Sequence, residues 1–115
     1  MLCILALILF TIVESREQRE LRGVATTYCV AVDRASNAQL QGAINYVCSK
    51  GVNCGIIKPG GSCYNPNTLN FHASAVMNAY FKAHGAQGPF CAEGPLKNIG
   101  MLTFTDPSQG SCKFS

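Results

Sequence analysis

The sequence predicts a small, disulfide-rich α+β domain, and three observations lead to this fold class. The chain has 115 residues and seven cysteines, six of them between positions 29 and 112. Two segments carry apolar residues at helical spacing, and up to three short segments have the composition of β-strands. Long glycine- and proline-rich loops join these segments. A chain of this length forms one domain.

The N-terminal segment has the features of a secretory signal peptide. Residues 1–13 form an apolar run, which is shorter than the roughly 20 residues that a transmembrane helix needs. Val13 and Ser15 are suitably small for the −3 and −1 positions of a cleavage site. A buried helix is the alternative, but the charged segment 14–22 follows directly. We therefore predict a signal peptide at 1–15, a flexible leader at 16–27 and a folded, secreted domain at 28–115.

The charge of the mature chain is ordinary. Without residues 1–15 the chain keeps nine basic and five acidic side chains, which gives a formal charge of +4. No stripe of Lys and Arg alternates with aromatic residues, so we expect no nucleic-acid partner. No hydrophobic tail follows Cys112, so we expect no membrane anchor. We expect a monomer.

The first half of the domain reads as a strand followed by a helix. Residues 28–32 are apolar and β-branched, which predicts one short strand. Ser36 and Gln39 form a capping box that opens a helix, and Gly51 is its natural end. The apolar residues of this helix recur at helical spacing at Leu40, Ala43, Ile44, Val47 and Cys48.

The second half predicts one further helix between loops. Asn67 or Thr68 caps this helix, and Lys82, His84 and Gly85 mark its end. Its apolar face consists of Leu69, Ala73, Val76, Met77 and Tyr80. Residues 51–66 and 86–100 are predicted loops. Residues 101–105 form a candidate strand, 106–110 a turn and 112–114 a final short strand.

The cysteines indicate disulfides rather than a metal site. An even number in a short secreted chain indicates a disulfide framework, and six cysteines allow 15 pairings. The smallest separation, between Cys48 and Cys54, is six residues, which is wider than the two to four residues typical of zinc clusters. We expect no metal and no cofactor. The six residues are Cys29, Cys48, Cys54, Cys63, Cys91 and Cys112.

A set of motifs, in this order along the chain, resembles one family. The motifs are Ala38-Gln-Leu-Gln41, Asn45-Tyr-Val-Cys48, Pro59-Gly-Gly-Ser-Cys63, Asn65-Pro-Asn-Thr68, His72-Ala-Ser74, Met77-Asn78, Asp106-Pro-Ser108 and Gly110-Ser-Cys112. They resemble the plant X8 domain, also called carbohydrate-binding module family 43. The family includes C-terminal domains of plant β-1,3-glucanases, plasmodesmal callose-binding proteins and olive-pollen-type allergens. The resemblance extends over residues 28–114.

The resemblance implies a fold, a disulfide pattern and a function. It implies two packed helices with a small antiparallel sheet. It also implies the pairs Cys29–Cys91, Cys48–Cys112 and Cys54–Cys63, and the tight Gly/Pro loop between Cys54 and Cys63 independently favours the third pair. The implied function is non-catalytic binding of β-1,3-glucan, of the callose or laminarin type. The implied location is the extracellular plant cell wall, with plasmodesmal and pollen-tube walls as candidates.

Two departures from the family pattern bear on sugar contacts. The family usually has Trp immediately before its first cysteine, where this chain has Tyr28. After Cys91 the family tends to have an aromatic residue and a shorter loop, whereas residues 92–98 here form a different and longer segment. We expect these changes to alter affinity for the glucan and not the fold.

The carboxyl groups argue against catalysis. Hydrolysis of a glycoside usually needs two carboxyl groups on either side of the bond, and the folded region has only Asp33, Glu93 and Asp106. Asp33 and Asp106 are explained as turn formers. No pair is suggested by this spacing, so we expect a protein that is not an enzyme.

The predicted sugar-binding residues cluster in one loop. Sugar rings stack on flat aromatic faces, and amides or hydroxyls bind their hydroxyl groups. Tyr64 provides the ring, Asn65 and Asn67 the amides, and His72 a further polar group, although a hydrogen bond that fixes the preceding loop is the favoured role of His72. Tyr28 is a further candidate. The other readings, that Tyr64 packs in the core and that the asparagines shape the turn, remain open.

Two other classes of secreted protein share features with this sequence. A secreted defence or lipid-transfer-like protein is the alternative, since these proteins are also small, basic and rich in disulfides. Lipid-transfer proteins characteristically have eight cysteines with an adjacent pair and a Cys-x-Cys, and neither pattern occurs here. A structural wall protein would show Pro-rich or Gly-rich repeats, which the sequence lacks.

Overall fold

The computed structural model describes residues 26–115, and the predicted signal peptide and most of the leader lie outside this range. In chain order the described elements are strand β1 (Tyr28–Ala31), helix α1 (Asn37–Ser49), a 3-10 turn (Cys54–Ile57), helix α2 (Leu69–Ala83), the short helix α3 (Pro89–Ala92), a second 3-10 turn (Gly94–Leu96) and strand β2 (Gly100–Thr103). These elements confirm the predicted α+β class. No helix within residues 26–115 is long and apolar enough to cross a membrane.

Helix α1 begins and ends as predicted. The Ser36 hydroxyl accepts a hydrogen bond from the Gln39 N–H at 3.1 Å, and the Gln39 side chain accepts one from the Ser36 N–H at 2.8 Å. This reciprocal box satisfies two N–H groups that the first turn leaves without a helical partner. Gly51, with φ of 94°, follows the helix end. The buried face is Leu40, Ala43, Ile44 and Val47.

Helix α2 is the central element. Of the two predicted caps, Thr68 is the one used, since its hydroxyl accepts from the Phe71 N–H at 3.1 Å. Nine of its fifteen residues are buried, so the helix is covered on more sides than its predicted apolar face implied. It packs on both α1 and β1. It ends at His84 and Gly85, as predicted, and Gly85 has a φ of 74° that suits a helix C-terminus.

The sheet consists of β1 and β2 in antiparallel register, with Tyr28 opposite Thr103 and Ala31 opposite Gly100. On the other side of β1, side chains of α2 accept the hydrogen bonds that a third strand would accept in a larger sheet. The N–H of Cys29 donates to Asn78 Oδ1, and the N–H of Ala31 donates to Ser74 Oγ, both at 2.9 Å.

These hydrogen bonds explain why Ser74 and Asn78 are the two polar residues in the buried set. Buried backbone N–H groups need a partner, and the two α2 side chains satisfy the outer edge of β1.

The predicted strand at 112–114 is wrong, because Cys112 forms only an isolated bridge with Gln109. The predicted loop at 86–100 is also wrong in part, because it contains α3 and a 3-10 turn. Pro89 is at the first position of α3, where the missing N–H of proline costs nothing and its fixed φ favours a helix. The loop between α2 and β2 is thereby folded against the body of the domain.

The disulfides correct two of the three expected pairs. Cys29–Cys91 is confirmed, whereas Cys48–Cys112 and Cys54–Cys63 are wrong. The bridges present are Cys29–Cys91, Cys48–Cys54 and Cys63–Cys112.

The course of the backbone gives the reason for this correction. The chain reverses after α1 at Gly51, so Cys54 returns to a Cα–Cα distance of 5.9 Å from Cys48. The C-terminal segment then lies beside residues 62 and 63, where the Ser111 hydroxyl donates to the Ser62 carbonyl at 2.8 Å. This contact places Cys112 at a Cα–Cα distance of 4.5 Å from Cys63.

The core has two parts. The larger lies between α1, α2 and β1 and includes the fully buried Val47, Val76, Met77 and Phe81. The smaller is built around the Cys63–Cys112 bridge with Phe71, Ala75 and Phe114. The Phe71 and Phe114 rings meet edge to face at 5.8 Å. The smaller core thus joins the start of α2 to the C-terminal segment.

Candidate functional site

The structure brings Asn67 and His72 each into contact with Tyr64, next to Asn65. The Tyr64 and His72 rings are 5.6 Å apart, with 29° between their planes. The Asn67 side-chain amide donates to the Tyr64 hydroxyl at 3.1 Å. We call these four residues the Tyr64 surface. Tyr64 is half-buried, and Asn65 and Asn67 are exposed.

His72 fixes the loop that carries Tyr64. Its Nε2 lies 2.7 Å from the Tyr64 carbonyl oxygen, and because a carbonyl only accepts, Nε2 must donate. This confirms the loop-fixing hydrogen bond that the sequence favoured for His72. Tyr64 is therefore held at three points. Its carbonyl accepts a hydrogen bond from His72, its hydroxyl accepts one from Asn67, and its ring stacks on the His72 ring.

Tyr28 does not join this surface. The Lys82 ammonium lies 5.3 Å from the centre of the Tyr28 ring, and Lys82 is in the last turn of α2. His72 is in the first turns of the same helix. The two residues are ten positions apart, which is about 15 Å along the helix axis, so the predicted binding residues divide into two separate places.

A second surface lies at the other end of α2, and the sequence did not predict it. It is a cleft of about 260 Å³, which we call the aromatic cleft. Its lining residues come from α1, α2, α3 and the turn that follows: Tyr46, Tyr80, Pro89, Phe90, Glu93, Gly94, Pro95 and Leu96.

Edge-to-face packing sets the ring positions in the aromatic cleft. The Tyr80 ring centre lies 5.8 Å from both the Tyr46 and the Phe90 centres, at interplanar angles of 73° and 60°. His84 stacks on Phe90 at 4.3 Å. His84 Nδ1 lies 2.9 Å from the Tyr80 carbonyl oxygen, to which it donates. This bond agrees with the expected role of His84 at the helix end.

The two tyrosine hydroxyls meet in the aromatic cleft. Their oxygens are 3.4 Å apart. The hydrogen bond with Tyr46, and then burial, raise the pKa of Tyr80 above its usual value, so Tyr80 is protonated at neutral pH. The sequence placed Tyr80 on the apolar face of α2, and Tyr80 is buried there. The sequence does contain a signal for this cleft. Tyr80 and His84 are four residues apart, which places them on one helix face, and both contact Phe90.

The carboxyl groups of the described residues do not form a pair in the aromatic cleft. Glu93 is the one acidic residue among its lining residues. Asp106 accepts from the Ser108 hydroxyl and N–H, at 2.6 and 2.9 Å, and these bonds lower the pKa of Asp106. This geometry confirms Asp106 as a turn former. No group of three or more potential metal ligands occurs within residues 26–115.

The loop after Cys91 forms one wall of the aromatic cleft. Residues 93–96 all line it, and Leu96 is 1% exposed. Leu96 anchors the wall in the core, while Glu93, Gly94 and Pro95 are exposed. These three exposed residues therefore determine which chemical groups the wall presents to a ligand.

Comparisons with known proteins agree with the family resemblance seen in the sequence. The model of the X8 domain family matches residues 27–94. Major pollen allergen Ole e 10 of Olea europaea is 43% identical over 88 residues, which are 76% of this chain and 69% of that protein. Plasmodesmata callose-binding protein 5 of Arabidopsis thaliana is 38% identical over 88 residues, 76% of this chain and 47% of that protein.

The chain is also similar to much longer proteins. A glucan endo-1,3-beta-glucosidase of Triticum aestivum is 46% identical over 87 residues, which are 76% of this chain and 18% of that protein. The chain spans less than a fifth of the length of the glucosidases that it matches.

Proposed function

Since the chain belongs to the X8 domain family, we propose that it is a secreted, non-catalytic module that binds β-1,3-glucan in the plant cell wall. The family match favours this function over a defence or lipid-transfer role. The names of two groups of relatives, glucan endo-1,3-beta-glucosidases and a callose-binding protein, support a β-1,3-glucan ligand.

The observation that carries the proposal is the aromatic cleft. Glycan sites combine aromatic faces, which pack on the C–H surfaces of sugar rings, with a few polar groups that bind the hydroxyls. In the cleft Tyr46, Tyr80 and Phe90 provide the aromatic surface. The Glu93 carboxylate and the tyrosine hydroxyls provide the polar groups. We propose that one or more glucose units of the polymer occupy this cleft.

We propose the Tyr64 surface as a second contact. Its ring, with the exposed amides of Asn65 and Asn67, is held in place before any ligand arrives, and a pre-organised loop lowers the ordering cost of binding. His72 supports it through the Tyr64 carbonyl. Tyr28, beside Lys82, is proposed only as a peripheral contact.

We also propose that the module does not hydrolyse the glucan. A single carboxylate in the aromatic cleft can bind sugar hydroxyls but lacks the partner that either hydrolytic geometry requires. The shared segment makes up only 19%, 18% and 17% of three glucosidases that it resembles, so their activity need not reside in that segment.

The test is affinity electrophoresis of the refolded domain in gels that contain laminarin, soluble cellulose or mannan. We expect retardation by laminarin alone, and no release of reducing sugar after prolonged incubation. Affinity should be modest, because an open cleft must order a flexible polymer. Equal retardation in all three gels would overturn the glucan specificity, and released sugar would overturn the non-catalytic role.

A further inference from the structure

The three disulfides differ sharply in their access to solvent. Cys29, Cys91 and Cys112 are 0% exposed and Cys63 is 5% exposed. Cys48 and Cys54 are both half-buried. A thiol can break a disulfide only by reaching one of its sulfurs along the S–S axis. Access alone therefore favours attack on the Cys48–Cys54 bridge.

The same bridge contributes least to the global fold. It closes a separation of six residues, whereas the other two bridges close 62 and 49. A disulfide restricts the unfolded chain less when its loop is shorter. The 3-10 turn that begins at Cys54 also has other attachments, because the Cys63 N–H donates to the Ile56 carbonyl at 2.8 Å and Ile56 and Ile57 pack on the core.

The charges near the bridge favour an anionic thiol. Lys50 and Lys58 are exposed, two residues after Cys48 and four after Cys54. No Asp or Glu occurs in residues 34–92, and the one carboxylate in the cleft that Tyr46 lines is Glu93. Positive charge stabilises a thiolate that leaves a disulfide and attracts a negatively charged attacking thiol.

We propose that Cys48–Cys54 is a thiol-exchange site, which an anionic low-molecular-mass thiol opens while the other two bridges and the fold persist. The thiolate attacks one bridge sulfur, a mixed disulfide forms, and the Cys48–Cys54 bond breaks. The electron pair leaves on the other cysteine, which takes a proton from water. A second small thiol then displaces the protein sulfur, so that two thiols are oxidised to one disulfide as the bridge gains two electrons.

Opening the bridge loosens one wall of the aromatic cleft. Cys48 lies in the last turn of α1, two residues after Tyr46. In that turn the Ser49 hydroxyl donates to the Tyr46 carbonyl at 2.6 Å, and the Lys50 ammonium lies 5.4 Å from the Tyr46 ring centre. Without the bridge this turn can fray, so laminarin affinity falls. This consequence, unlike the exchange itself, rests on the proposed function.

The experiment exposes the folded domain to increasing concentrations of reduced glutathione, blocks free thiols with N-ethylmaleimide and maps the peptides by mass spectrometry. We expect Cys48 and Cys54 to be modified at glutathione concentrations at least tenfold lower than the other four cysteines, with an unchanged circular dichroism spectrum. Modification of all six together, or of Cys63 and Cys112 first, would overturn the proposal.

Three controls test separate parts of the proposal, namely opening without unfolding, the role of charge, and the coupling to the aromatic cleft. The double variant Cys48→Ser, Cys54→Ser should fold and show no modification at the low concentrations; failure to fold would contradict opening without unfolding. The double variant Lys50→Gln, Lys58→Gln should slow exchange with glutathione several-fold and exchange with 2-mercaptoethanol, which has no charge besides its thiolate, by less; unchanged exchange with glutathione would refute the role of charge. Laminarin retardation that is unchanged in an opened domain would refute only the coupling to the cleft, whereas absent retardation before reduction would refute the proposed function.

Discussion

The two candidate surfaces lie at opposite ends of α2, and they hold their rings by different means. Tyr64 is held by polar contacts with Asn67 and His72, which are three and eight residues away along the chain. The rings of the aromatic cleft are held by packing between three segments, with Tyr46 and Tyr80 separated by 34 residues. The first surface thus depends on one loop and the first turn of α2, whereas the second depends on the whole fold.

This difference has consequences for binding. A loop with one half-buried ring can be altered with little effect elsewhere, but it offers one stacking face. The aromatic cleft is concave and presents several rings and a carboxylate, so more of a sugar unit is covered there. We therefore expect the cleft to contribute more of the glucan affinity, and the following predictions are ordered by the size of the expected effect.

Replacing Phe90 should have the largest effect. Phe90→Ala removes one wall of the aromatic cleft and the ring that stacks on His84. We expect laminarin affinity to fall about tenfold, equivalent to about 1.4 kcal/mol. Affinity electrophoresis measures this loss, and circular dichroism verifies the fold. Wild-type retardation by a folded variant would exclude the cleft as the principal site.

Replacing Tyr64 should have a smaller effect. Tyr64→Ala should reduce laminarin affinity by roughly threefold to fivefold, in line with the loss of one aromatic contact of about 0.5–1.5 kcal/mol. The matched control is Tyr64→Phe, which keeps the ring but loses the bond from Asn67, and it should bind nearly as the wild type does. A larger loss in Tyr64→Ala than in Phe90→Ala would reverse the ranking of the two surfaces.

Removing the charge of Glu93 should weaken binding slightly. Carboxylates accept stronger hydrogen bonds than neutral groups do, so we expect Glu93→Gln to lower affinity about twofold to threefold. Glu93 is exposed, and the unfolding temperature should not change. Asp33→Asn, in an exposed turn away from the cleft lining, is the matched control; an equal effect from it would indicate a general effect of charge.

Removing the cap of α2 should affect stability and, through it, the Tyr64 surface. Thr68→Ala leaves the Phe71 N–H without its acceptor, which should lower the free energy of unfolding by about 1 kcal/mol. Thermal unfolding measures that loss. Thr68 follows Asn67 directly, so a small loss of binding should accompany this change and remain below that of Glu93→Gln.

The smallest effect concerns the ionisation of Tyr80. The hydrogen bond with Tyr46 is the first cause of its raised pKa, so the pKa of Tyr80 should fall in Tyr46→Phe while staying above that of a free tyrosine because of burial. Ultraviolet absorbance titration from neutral to alkaline pH follows the tyrosinate. If the pKa of Tyr80 is the same in Tyr46→Phe as in the wild type, the two hydroxyls are not hydrogen-bonded in solution.

The parts of the fold that depend on neighbouring residues could be predicted from the sequence. The Ser36–Gln39 box, the Thr68 cap and the glycines at 51 and 85 act within a few residues of themselves, and the structure has them where predicted. The contact between His72 and the Tyr64 loop is likewise local. These features need no knowledge of how the domain folds back on itself.

The parts that depend on distant segments could not be predicted in this way. Pairing Cys63 with Cys112 requires knowing that the C-terminal segment lies beside residue 62, and a tight loop between Cys54 and Cys63 suggested a pair that the backbone does not form. The aromatic cleft combines residues of α1, α2 and α3, and α3 itself was predicted as loop.

The way in which α2 borders the sheet determines how this domain can associate with other chains. Ser74 and Asn78 occupy the outward N–H groups of β1, so an incoming strand finds no free donors at Cys29 or Ala31. Beyond β2, α3 packs on the strand, and the Cys91 carbonyl lies against Gly100, while Met101, Leu102 and Phe104 remain 46%, 45% and 67% exposed. The β1 side is therefore closed to strand addition, and at high concentration we expect association through the exposed apolar side chains at the end of β2 instead.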